Sequence, residues 1–148
     1  AGMLERAGGV DAAGAYMHNL AAATFAQGCT EIERLLRLMG GAPAFAHMLP
    51  GAGDLYVTCQ GGRTVRLGRL LGMGHSYAEA RALMAGETLE AAEIVRVMGG
   101  ALPKLAARGL LSPSDFPLLS ALVDVVVHGR EAALPLDDFF AEMRVGLV

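Results

Sequence analysis

The chain has 148 residues and a formal net charge of -3 from 12 basic and 15 acidic side chains, enough length for one hydrophobic core and too little basic patterning for an electrostatic nucleic-acid surface. Its two cysteines, Cys29 and Cys59, lack CxxC spacing, which excludes a disulfide framework and fits a reduced, intracellular protein. Hydrophobic residues reach 53%, yet polar residues such as Asp124, His128 and Arg130 interrupt every apolar run before the roughly 18 residues needed to span a membrane.

The first residues, AGMLERAGG, carry neither a basic start nor a long apolar stretch, so they are no secretory signal and read as the interior of something longer. From His18 to Met39, Leu20, Thr24, Gln27, Glu31, Arg34 and Leu38 recur at three- and four-residue steps, which predicts a helix closed by Gly40-Gly41. Gly53 to Gln60 reads as a short helix. Gly61 and Gly62 break it, and Arg63 opens the next, which runs to Gly72. Ser76 and Glu79 form a capping box leading into YAEARALMAG, closed by Gly86.

Glu87 to Met98 predicts a further helix, interrupted by Gly99-Gly100 and Pro103 before a short continuation to Arg108 and a stop at Gly109. SPSDFP at 112–117 is a turn that places proline at a helix start, and Phe116 to Val127 is the most apolar segment. Its DVVV run is β-branched, but one strand would have no partner in this chain, so it is assigned to helix. Pro135 begins a last helix, LDDFFAEMRVG, with Asp137 and Asp138 in its first turn. The expected fold class is all-α, a compact domain of about six or seven helices. A mean hydropathy of +0.42 points to apolar surface meant for a partner.

Chemistry concentrates between Gly51 and Gly72. Asp54 and Thr58 are four residues apart, so on a helix they share one face about one turn apart. Gly61-Gly62-Arg63 combines freed backbone N–H groups at a helix start with a guanidinium that grips two oxygens at once, a pattern suited to a phosphate or carboxylate. Each has a plainer alternative: Asp54 as a helix N-cap, and Arg63 as a solvated arginine continuing into Arg66 and Arg69. Glu87, Glu90 and Glu93 read as a solvated acidic helix edge. His18, His47, His75 and His128 share no metal-ligand spacing, so no metal is expected, and the eight methionines read as core filling.

Taken together, Gly51-x-Gly53-Asp54-Leu55-x-x-Thr58-Cys59 followed by Gly62-Arg63 and Gly68 resembles the C-terminal domain of NAD(P)-dependent glycerol-3-phosphate dehydrogenase. Gly86 to Glu90 resembles the segment that reaches toward the cofactor. Phe116-Pro117-Leu118-Leu119 resembles the family's proline-started helix, and His128-Gly129-Arg130 its short glycine turn, so the likeness runs from about Asn19 to Phe140. The fold it implies is the multi-helix fold similar to the C-terminal domain of 6-phosphogluconate dehydrogenase.

The resemblance implies that Asp54 helps set the catalytic proton-transfer network, Thr58 contacts substrate, Arg63 holds the substrate phosphate, and Glu90 lies near NAD or NADP. Where the family usually has asparagine after the phosphate arginine, this chain has Thr64, whose hydroxyl donates but cannot make an amide's paired contacts. Ala91 stands where many members have glycine. The implied reaction interconverts glycerol 3-phosphate and dihydroxyacetone phosphate by hydride transfer, supplying phospholipid synthesis in the cytoplasm.

The family's N-terminal Rossmann unit has no counterpart here, because no GxGxxG-like strand-turn-helix occurs. The family's catalytic lysine falls upstream of the region matching Ala1, and Lys104, the only lysine, is in the wrong segment to replace it. Residues 1–148 are therefore expected to be the C-terminal substrate-binding half, folded but inactive alone, and paired as a homodimer through its apolar surface. The alternative is a non-enzymatic helical dimerisation or regulatory module that shares the fold. A glycine-rich strand-turn-helix and a lysine-asparagine pair encoded upstream distinguish the two. The choice between NAD and NADP is made in the other half.

Overall fold

The computed structural model describes residues 18–139. Among them the chain forms α1 (His18–Leu38), α2 (Asp54–Thr58), α3 (Arg63–Gly72), α4 (Tyr77–Leu83), α5 (Glu90–Ala107), α6 (Pro117–Val126) and α7 (Leu136–Phe139), with no strand. Short 3-10 turns at Pro43–His47 and Pro113–Asp115 and a π turn at Leu49–Gly53 complete it. The all-α class expected from the periodicity holds. The last predicted helix begins at Leu136, with Asp137 and Asp138 in its first turn, and its continuation lies outside the described residues.

One core joins α3 to α6. Leu67 and Leu71 of α3, Ala80 of α4 with Met84 at its end, Val95 and Leu102 of α5, and Leu119 and Val123 of α6 are buried in it. The Ser76–Glu79 box starts α4 as predicted: the Ser76 hydroxyl accepts from the Glu79 amide while the Glu79 carboxylate accepts from the Ser76 amide at 2.8 Å. Arg96 of α5 lies 5.5 Å from the Tyr77 ring centroid, a cation–π contact tying α4 to α5.

The expected break in α5 does not occur. The helix runs through Gly99-Gly100 and Pro103 to Ala107, and a Cβ at Gly99 would stand only 3.0 Å from Val123 Cγ1. Glycine there is a point of close approach to α6, not a terminator. The start also differs: Glu87 precedes α5, so Glu87, Glu90 and Glu93 are not one helix stripe. Nor are the methionines simply core filling. Met84 is fully buried, but Met39, Met48 and Met73 are exposed.

Glu31 of α1 organises the other side of the molecule. Its carboxylate is 4% exposed and accepts from the backbone amides of Leu118 at 2.7 Å and Leu119 at 2.8 Å, with Gln27 donating to it at 2.8 Å. Pro117 starts α6, and Phe116 at its cap has no side-chain acceptor, so a carboxylate from α1 serves as the cap. Arg34, one turn on, donates to the carbonyl of Asp115. Together the two fix α1 across the start of α6.

Candidate functional site

The site is assembled from helix starts. Asp54 is the first residue of α2, Arg63 the first of α3 and Glu90 the first of α5. Gly51 makes the entry to α2 possible: its amide donates to the Met48 carbonyl at 3.1 Å, and a Cβ would collide with the carbonyl oxygens of Phe45 and Ala46. The predicted helix from Gly53 to Gln60 is shorter than expected, one turn from Asp54 to Thr58, with the π turn wound before it. Asp54 and Thr58 are thus one turn apart, as their spacing predicts, and both are exposed. Asp54 is not a side-chain cap. Gly53 holds that position, and no side-chain cap hydrogen bond forms.

Gly62 turns the chain into α3 at φ 96, a conformation that glycine adopts without strain. No side chain caps α3, and its first recorded backbone bond is from Arg66 to the Gly62 carbonyl at 3.1 Å. The amides of Arg63, Thr64 and Val65 therefore have no helical acceptor. Arg63 adds a full positive charge where the helix dipole is already positive, an arrangement that favours an anion. Thr64 is exposed beside it.

The Arg63 guanidinium is not merely solvated. Nη1 donates to Thr88 Oγ1 at 2.6 Å and Nη2 to Glu90 Oε2 at 2.9 Å. Arg66, one turn on, pairs with Glu87 and also donates to the Leu83 carbonyl. The structure thus pairs Arg63 directly with Glu90, and Thr88 holds the other guanidinium nitrogen. Sequence reasoning passed over Thr88, and the available signal was a hydroxyl two residues before Glu90. Among the described residues, Asp54, Thr58 and Thr64 make no hydrogen bond or ion pair to this group. An open groove of about 480 Å³ continues from Thr88 and Glu90 along Arg81, Glu93 and Ile94.

Two thiols bound the chemistry available elsewhere. Cys29 is buried, which pushes its pKa up and keeps it a thiol, and Cys59 is half-buried. Among the described residues no cluster of three His, Cys, Asp or Glu side chains is placed to hold a metal ion, and no helix is long and apolar enough to cross a membrane.

Residues 6–135 match the family described as NAD-dependent glycerol-3-phosphate dehydrogenase C-terminus. The chain belongs to that family. It is 35% identical over 128 residues to the glycerol-3-phosphate dehydrogenase (NAD(P)+) of Bacillus cereus strain AH187, covering 85% of this chain and 35% of the relative. It is 34% identical over the same length and shares to the enzymes of that name from Bacillus thuringiensis strain Al Hakam and Bacillus mycoides strain KBAB4. The chain therefore spans about a third, 35%, of the length of these curated relatives.

A dinucleotide needs a strand, a glycine-rich turn and a helix to carry its pyrophosphate. The described residues of this glycerol-3-phosphate dehydrogenase C-terminal domain contain no strand.

Proposed function

We propose that this domain forms the substrate side of an NAD(P)-dependent glycerol-3-phosphate dehydrogenase. A separate N-terminal Rossmann domain binds NAD or NADP, and the reaction interconverts glycerol 3-phosphate and dihydroxyacetone phosphate. The observation that carries this reading is Arg63, a guanidinium placed at an uncapped helix start where three free amides and the dipole already attract an anion. Arg63 grips the substrate phosphate, with Thr64 supplying a hydroxyl where an amide is usual. Thr58 meets the glycerol moiety, and Asp54, exposed at the start of α2, orients the proton-transfer group at the carbinol carbon. Glu90 lies on the side turned toward the cofactor. Lys104, in the last turn of α5, takes no part.

The same reading makes the 148-residue chain alone catalytically silent, a cytoplasmic protein, and a two-fold dimer. The exposed apolar side chains of Phe45, Met48, Leu49, Tyr56 and Val57, with Leu49 83% exposed, support an association surface beside the site. Sedimentation reads the mass, and a strictly monomeric chain counts against that surface.

The central test is Arg63→Ala in the dehydrogenase that contains this domain. Losing a charge-assisted grip costs about 2–5 kcal/mol of binding, so KM for dihydroxyacetone phosphate should rise at least about tenfold. Arg63→Lys should recover part of the loss, because an ammonium cannot bind bidentately. Unchanged KM and turnover in Arg63→Ala would overturn the assignment.

A further inference from the structure

We propose that Glu90 occupies the place of the anion on Arg63 in the ligand-free domain, so that a phosphate binds by displacing its carboxylate from Nη2 while Thr88 keeps Nη1 in position. The inference rests on the assignment of Arg63 to a phosphate.

Three observations carry it. The two contacts use different guanidinium nitrogens, Nη1 to Thr88 Oγ1 at 2.6 Å and Nη2 to Glu90 Oε2 at 2.9 Å, so one can be exchanged while the other persists. The Glu90 side chain is 72% exposed and that of Arg63 is 48% exposed, so separating them strands no buried charge. Glu90 is also the first residue of α5, whose cap makes no side-chain hydrogen bond. After release its carboxylate therefore remains beside the positive end of a helix dipole.

The balance favours exchange. An exposed ion pair is weak, whereas a phosphate offers Arg63 charge-assisted bonds to several oxygens and also reaches the free amides of α3. Thr88 is the positioning residue: its hydroxyl restrains the guanidinium at the mouth of α3 whether or not Glu90 is engaged. The exchange links two ends of the site, because the carboxylate freed by phosphate borders the groove that runs from Thr88 toward Ile94.

The experiment titrates the 148-residue chain with inorganic phosphate and with glycerol 3-phosphate, following the arginine side-chain NMR signals. Glu90→Gln should bind phosphate about two- to fivefold more tightly than wild type, the upper figure being the release of an exposed pair worth about 1 kcal/mol. The gain should disappear in Arg63→Ala. Glu87→Gln, which removes the same charge from Arg66 instead, should give a smaller gain. Thr88→Val should weaken binding and Thr88→Ser restore it, a difference that loss of packing alone would not produce.

Equal or weaker phosphate binding by Glu90→Gln overturns the exchange. A gain that persists without Arg63, or that Glu87→Gln reproduces in full, also overturns it by showing a general charge effect. If wild type and Glu90→Gln bind phosphate no better than Arg63→Ala, the assignment of Arg63 itself fails and the exchange with it.

Discussion

Replacing Glu31 by alanine tests the contact that holds α1 across α6. The change removes both acceptors of the Leu118 and Leu119 amides and the partner of Gln27 in one step. Leu119 is buried, and its stranded amide costs about 1–3 kcal/mol; Leu118 is half-buried and costs toward the lower end of that range. Loss of a negative charge at the start of α6 adds about 0.3–1 kcal/mol. Relief of the desolvation of a buried carboxylate offsets part of the total, leaving a net loss of about 3 kcal/mol. Domains of this size are stable by about 5–15 kcal/mol, so the variant should still fold. Its melting temperature should fall by about 6–12 °C. Urea unfolding followed by far-ultraviolet circular dichroism measures the loss directly. Glu31→Gln keeps one carbonyl acceptor and should remain folded while still losing stability. A loss below about 1 kcal/mol in Glu31→Ala would show that water or a neighbouring group satisfies the α6 amides and that the buried carboxylate is not their cap.

The role proposed for Asp54, orienting proton transfer while Arg63 takes the phosphate, requires that Asp54→Asn lower turnover of the intact enzyme more than it raises KM; normal turnover would return Asp54 to a first-turn residue that merely complements the α2 dipole. Gly51→Ala forces a Cβ against the Phe45 and Ala46 carbonyls and should destabilise the domain by about 2 kcal/mol, with a neutral variant in thermal melting refuting that close approach. Glu79 is held below the ordinary carboxyl range, first by the Ser76 backbone amide and then by the Ser76 hydroxyl. A depressed folded pKa stabilises above the unfolded value, and the effect is lost as pH falls through the folded one. Glu79→Gln should therefore be less stable than wild type at neutral pH and indistinguishable from it in acid; a gap that stays constant in acid contradicts this.

What could be read from the sequence depended on how local its cause was. The Ser76–Glu79 box and the start of α6 at Pro117 rest on residues within one turn of each other, and both stand where the pattern put them. Asp54 and Thr58 fall one turn apart for the same reason. Glu31 could be placed on α1 but not assigned its task, because the amides it caps lie 87 and 88 residues away. The missing side-chain acceptor at Phe116 was the only local sign that a cap had to come from elsewhere. Gly99 was misread for the opposite reason: locally a glycine pair resembles a stop, whereas its use is to let Val123 approach across the α5–α6 contact. The pairing of Arg63 with Glu90 spans 27 residues and no periodic pattern reveals it.

Asp54, Arg63 and Glu90 each open a helix, but only Arg63 has the charge that the dipole opposes. A cation at the positive end of α3 is a local conflict and marks a place where something negative belongs. That argument separates folding from function in a single variant. Arg63→Ala gives up an exposed pair worth about 0–1 kcal/mol, but it gains a better helix former and relieves about 0.3–1 kcal/mol of dipole repulsion. Its unfolding free energy should therefore stay within about 0.5 kcal/mol of wild type, while phosphate binding is lost. A clear destabilisation of Arg63→Ala would show that the arginine is there to join α3 to α5, and the anion site would lose the conflict that identifies it.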